Sequence, residues 1–166
     1  MSEFNEEENG YGEVPAIEGD FNVEDDFVPE PLIPMGTYHG SVVNVKFSPA
    51  DQTIVWTFCL ANNGGLMSDG ETSVDGVTID FKNWLPKEVD KTEMAKNGRQ
   101  TKWQSKINML HNFAEGLGIV MKDGAQILGA IADSTWVGVD VDLDIKITEW
   151  QGKFRNEVGR VKKSTT

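Results

Sequence analysis

Between Val137 and Thr148 the sequence alternates without a break. Val137, Val139, Val141, Leu143, Ile145 and Ile147 hold the odd positions; Gly138, Asp140, Asp142, Asp144, Lys146 and Thr148 hold the even ones. Neighbouring strand residues point to opposite faces, so the pattern fits a strand with one apolar and one wet face, and it fits no helix. Such a half-buried strand belongs to an antiparallel sheet. The rest of the chain has to supply its neighbours.

Four other segments qualify. "GTYHGSVVNVKF" (36–47) is rich in β-branched and aromatic residues and follows a Pro-Met-Gly break, which predicts a strand. "SPADQ" (48–52) is a polar turn, and "TIVWTFCLA" (53–61), apolar at both parities, reads as a central strand. "VDGVTIDFKNWL" (74–85) alternates again: Val77, Ile79, Phe81 and Leu85 take one side, Thr78, Asp80, Lys82 and Trp84 the other. A "QGK" turn at 151–153 leads from the alternating strand into a last one, Phe154 to about Lys162.

Two stretches follow the helical period. Thr101 with Gln104 makes a capping box. Trp103, Ile107, Leu110, Phe113, Ala114 and Leu117 then recur at helical spacing until Gly116 and Gly118. "DGAQILGAI" (123–131) predicts a second, shorter helix. The glycine-rich loop 62–73 is long for a hairpin, which suits a functional loop. The polar stretch 86–100 reads as a mobile connection. Strand, strand, strand, helix, strand, strand is the order of the OB-fold, a five-stranded Greek-key barrel that binds oligonucleotides. The expected fold is therefore mainly β, with a helix between strands 3 and 4.

Charge divides the chain in two. Residues 1–33 hold eleven of the 27 acids and none of the 15 bases, leaving sixteen acids against all the bases in 34–166. Pro15, Pro29, Pro31 and Pro34 interrupt the acidic segment and its apolar residues are sparse, so a disordered tail is expected there, and one folded domain over 34–166. Phe21, Val23, Phe27 and Val28 lie scattered among the acids. That mixture suits either a solubilising tail or a mimic of nucleic acid that engages a basic groove.

The sequence holds no constellation for catalysis. Asp140, Asp142 and Asp144 begin like a calcium loop, but Ile145 and Gln151 stand where that loop needs glycine and glutamate. His39 and His111 have no ligand-forming neighbours at metal spacing. No Walker-type glycine loop and no nucleophile elbow is present. The expectation is a non-enzymatic protein without metal or cofactor. The single cysteine, Cys59, lies in an apolar run and reads as a buried, inert thiol suited to a reducing cytosol. No run reaches the roughly 20 apolar residues of a membrane span, and the start lacks the n- and h-regions of a secretion signal, so a cytoplasmic protein without a membrane partner is expected.

The aromatic and basic residues carry more information. By parity Trp150 continues the outward register of the aspartates, and Trp84 shares a face with Lys82. Trp56, Trp103 and Trp136 read as core. Bases of single-stranded nucleic acid stack on exposed rings while lysine and arginine meet the phosphates. "EWQGKFRNEVGRVKK" (149–163) places Lys153, Phe154, Arg155, Arg160 and Lys162 beside Trp150, in the loop between the last two OB strands. The candidate interface is Trp84 and Trp150 as platforms, Lys46, Lys82, Lys153, Arg155, Arg160 and Lys162 as phosphate contacts, and Phe154 beside them. The alternative is that Trp84 and Trp150 cap the barrel ends against the N-terminal segment or a partner subunit.

"PMGTYHGSVVNVKF", "LHNFAEGLGI" and "WVGVDVDLDIKITEWQGKFRNEVGRVKK" together resemble a family of small phage proteins encoded among replication and recombination genes. The features in common are Gly36-Thr37-Tyr38 opening the first strand, Trp136-Val137-Gly138 entering the fourth, and the Gly152–Val158 turn into the fifth. The resemblance spans about residues 33–163. It implies an OB-fold single-stranded-DNA-binding protein acting in replication or recombination in the host cytoplasm, with single-stranded DNA as partner. Replication or recombination proteins recruited through the acidic tail, and further copies of the chain, are the other partners to consider. Many proteins of that class carry their acids at the C-terminus, whereas here they come first. The rival expectations are an OB-fold protein-interaction accessory of phage recombination, a virion assembly protein and, least favoured, a nuclease using the three aspartates.

Overall fold

In the computed structural model, residues 14–165 are described, and the chain falls into two units that meet between Glu30 and Pro31. Five of the acids counted above, Glu3, Glu6, Glu7, Glu8 and Glu13, lie outside the described residues. From Val14 to Glu30 every residue is exposed and none belongs to a helix or strand. The one ordered feature is a turn in which the Asn22 side chain accepts from the Glu24 and Asp25 amides at 3.0 and 2.9 Å. The charge count groups Leu32 and Ile33 with the tail, but they belong to the folded unit. Ile33 is buried, and the Asn156 side chain both accepts from its amide and donates to its carbonyl at 2.8 Å.

The folded unit is mainly β. Its elements are β1 (Gly36–Ser48), β2 (Thr53–Leu60), β3 (Thr78–Trp84), α1 (Lys102–Leu117), α2 (Gly124–Ala132), β4 (Asp140–Trp150) and β5 (Lys153–Lys163). The strands form one antiparallel sheet in the order β3-β2-β1-β4-β5. β3 and β5 are its edges. They approach within 8 Å at Cα without pairing, so the sheet curls but does not close.

The alternation of β4 holds where it meets β1 and β5. Val141, Leu143 and Ile145 are fully buried. They join Ile54, Trp56, Phe58 and Leu60 of β2, Val158 and Val161 of β5, and Leu117 and Ile127 of the helices in one core. β2 lies between β1 and β3; its inward residues are fully buried, and on its outer side Thr53 and Val55 are buried while Thr57 and Cys59 are half-buried. Trp56 stacks on Trp136 with ring centroids 5.3 Å apart, and its indole N–H donates to Asn83 Oδ1 at 2.6 Å, which satisfies a polar group that burial would otherwise strand. In β1 a Cβ on Gly40 would lie 2.7 Å from the Cys59 carbonyl oxygen, so only glycine allows that approach.

Five local expectations are corrected. The fourth strand begins at Asp140 rather than Val137, which is exposed in the turn before it. The third strand begins at Thr78 rather than Val74, because Gly76 turns the chain at φ 94° and Asp75 is engaged elsewhere. Its carboxylate accepts from the Asn63 and Gly64 amides and from the Asn63 side chain; the Asn63 amide does most to hold its pKa below the ordinary value. The stretch 86–100 is built rather than loose. A 3₁₀ helix, Glu88–Thr92, buries Asp90, which accepts from the Lys87 amide and from Lys106 Nζ of α1, both at 2.8 Å. That pair joins positions 16 residues apart, beyond the reach of any local period. Trp103 is only half-buried, with the Lys91 ammonium 4.5 Å from its ring centroid. Cys59, on the outer side of β2, is likewise half-buried. No helix among the described residues is long and apolar enough to cross a membrane.

Candidate nucleic-acid interface

Paired residues in an antiparallel ladder point the same way, so the register assigns each side chain to a face. On the outer face one row runs Lys46, Val55, Lys82 across β1, β2 and β3, and the next runs Ser48, Thr53, Trp84. Two lysines thus flank Val55, one step from an indole. Trp84 is 48% exposed. The Lys82 ammonium lies 5.9 Å from its ring centroid and 3.4 Å from Asp51. Asp51 is held below the ordinary carboxylate range by the Ser48 hydroxyl first, then the Thr53 hydroxyl, with Lys82 contributing less. Lys46 makes no ion pair among the described residues.

The second group lies at the far end of the sheet. β4 meets β1 only as far as Ile145 opposite Gly36, and beyond that β4 and β5 pair with each other alone. Residues 146–157 therefore project as a two-stranded ribbon. On its outer face Trp150 lies opposite Lys153, Thr148 opposite Arg155, and Lys146 opposite Glu157. Trp150 is 64% exposed. Lys153 and Arg155 face neutral residues and make no ion pair among the described residues.

The remaining two bases stand differently. Arg160 lies opposite Asp144 and Lys162 opposite Asp142, so the acidic stripe of β4 faces basic partners across the strand. On its other side the stripe meets β1: Thr37 Oγ1 donates to Asp144 at 2.8 Å, and His39 Nδ1 lies 3.5 Å from Asp142. The Ser164 hydroxyl is also 3.1 Å from His39 Nδ1. Serine, histidine and aspartate are thus neighbours, but both partners meet the same ring nitrogen. A relay needs one on each nitrogen, so this arrangement cannot pass a proton from serine to aspartate. Among the described residues no group of three His, Cys, Asp or Glu side chains could hold a metal ion.

Phe154 is apart from the rest. It lies opposite Glu149, on the ribbon face that also carries Ile147 and Asn156, and it is 59% exposed. Six of the nine candidate residues therefore form two groups on one face, Lys46–Lys82–Trp84 and Trp150–Lys153–Arg155. Arg160 and Lys162 lie beside the second group against acids, and Phe154 lies behind it. Trp84 is level with Ser48 at one end of β1, and Trp150 lies five residues beyond the other end. The sequence reading grouped all nine in one groove because parity gives a face but not a position along the ladder. It also passed over Lys146, which joins the ribbon's outer face.

Compared with known proteins, the sequence matches no family model and no curated protein.

Proposed function

We propose that the folded unit binds single-stranded DNA without enzymatic activity, as a phage-type single-strand-binding protein of replication or recombination. The observation that carries the reading is that each exposed indole shares the outer face with cations that make no ion pair among the described residues, Lys46 on the Trp84 side and Lys153 and Arg155 beside Trp150, while Lys82 is paired with Asp51. Exposed tryptophan is costly on a surface that has no use for it. A single strand uses both chemistries at once, stacking bases on the rings and setting phosphates against the lysines and arginine. The strand order supports an OB-type barrel, since pairing of the approaching β3 and β5 edges would complete that barrel's circuit. In this reading the strand runs along the outer face from the Trp84 group to the Trp150 group. The choice of DNA follows the phage resemblance.

The acidic segment either competes with the strand or recruits a protein partner. Comparing the full chain with one lacking residues 1–30, which removes all eleven acids and leaves the buried Ile33 in place, at two salt concentrations separates these roles. Competition predicts tighter binding after deletion, most visibly at low salt, where charge is least screened. Recruitment predicts unchanged strand affinity and loss of partner capture. Fluorescence titration with single-stranded oligonucleotide tests the reading itself: absence of any response at low salt favours a protein-interaction module.

A further inference from the structure

Two features of the folded unit play no part in that reading. The first is the rear face of the ribbon, where Ile147 (37% exposed) and Phe154 form an apolar knob beside Glu149. That face carries no base, unlike the Trp150 face, so it suits protein better than phosphate. The second is a cleft of about 620 Å³ between Gln52, Leu85, Trp103, Ile107, Met121 and Lys122. There α1 keeps its period but lacks cover, so Trp103 and Ile107 are left partly open. Lys122 makes no ion pair among the described residues. The acid beside it, Asp123, is taken up as the cap of α2, accepting from the Gln126 amide at 2.9 Å.

Knob and cleft stand at opposite ends of the sheet. The cleft adjoins the β1–β2 turn through Gln52, whose carbonyl accepts from the Leu85 amide. The knob lies past the opposite end of β1, on the projecting ribbon. A chain cannot place its own knob in its own cleft, but a second copy can. The match is apolar to apolar, with Glu149 of one copy beside Lys122 of the other.

We propose that the ribbon of one copy docks by Phe154 and Ile147 into the Trp103–Ile107 cleft of the next, head to tail. Such a heterologous contact generates open chains when the rotation between copies does not close a ring, and an open chain is the assembly a linear strand requires. Two side chains cover far less than the roughly 800 Å² per partner of a stable dimer. The contact is therefore weak in free solution. Copies bound side by side on one strand meet at about millimolar effective concentration, so a contact of roughly 100 µM raises affinity for a two-site strand about tenfold.

Sedimentation of the full chain without nucleic acid tests the contact independently of strand binding. Wild type should grow beyond dimers as concentration rises. Phe154→Ala and Ile107→Glu should each remain monomeric, because each lacks one half of the contact. Mixed together they should form dimers and stop there, since one intact knob meets one intact cleft. Glu149→Lys should weaken association, and adding Lys122→Glu should restore it. Wild type that stays monomeric at millimolar concentration, or a mixture that associates no better than its parts, overturns the proposal. So does a Phe154→Ala protein that loses affinity for a one-site oligonucleotide as Trp150→Ala does, because the ring is then a stacking platform.

Discussion

Replacing Lys153 and Arg155 with glutamine should flatten the salt dependence of single-strand binding by a calculable amount. Each phosphate contact to a single strand contributes about 0.7 to the slope of log affinity against log salt. Lys153 and Arg155 lie opposite Trp150 and Thr148, with no acid in ion-pair range among the described residues. Nothing inside the folded unit competes for their charge, so the double variant should lose about 1.4 from the slope. Between 50 and 200 mM salt, wild type should then lose about sevenfold more affinity than the variant. Arg160→Gln with Lys162→Gln makes the internal comparison. Those two bases form no ion pair among the described residues but lie in register with Asp144 and Asp142, whose nearby negative charge weakens their pull on phosphate, so the same change of formal charge should flatten the slope less. The assay is fluorescence titration with a one-site oligonucleotide at several salt concentrations, with thermal melts to verify folding. An unchanged slope in the folded ribbon variant would refute the assignment. A larger effect from Arg160 and Lys162 would show that cross-strand acids do not decide which bases meet phosphate.

Gly40→Ala should destabilise the fold by about 1–3 kcal/mol, the usual cost of overpacking, because its Cβ would meet the Cys59 carbonyl at 2.7 Å; an unshifted urea midpoint would show that β1 can move aside. Asn83→Leu removes the acceptor of the buried Trp56 indole N–H and should cost about 1–3 kcal/mol by the same measurement, with no cost meaning that the indole finds another partner. Asp90 is held below the ordinary carboxylate range, first by its hydrogen bond from Lys106 and next by the Lys87 amide. A depressed folded-state pKa gives stability that is present above the unfolded value near about 3.9 and lost as pH falls through the folded value. Asp90→Asn should therefore be less stable than wild type at pH 7, with the gap narrowing below about pH 4; a gap constant with pH would rule out the ion pair as its source.

The fold was legible in the sequence wherever a period ran unbroken. β4 shows its two faces from Asp140 to Ile145, whereas Val137 in the turn before it and Ile147 on the ribbon are exposed, and Thr101 announces α1 by its cap, where its hydroxyl accepts from the Gln104 amide at 3.1 Å. What local pattern cannot convey is partnership over distance. The Asp90–Lys106 pair turns an apparent linker into a built element, and Asn156 ties Ile33 to β5 across 123 residues. The candidate interface divides along the same line. Parity alone assigns Trp84 and Trp150 to the outer face, but their separation depends on the register of three strand pairs. Trp103 misleads because its helical position is that of a core residue, whereas the sheet ends before it can cover that part of α1.

The most direct test is to titrate tryptophan fluorescence of the full chain with single-stranded DNA at low salt. The account predicts saturable quenching that weakens in Trp84→Ala and in Trp150→Ala, each with a loss of about 1–3 kcal/mol of binding, the worth of one stacked base. The two losses should add in the double variant, because the rings stand too far apart to couple. No quenching by any single strand, or equal quenching and affinity in the double variant and wild type, would contradict it.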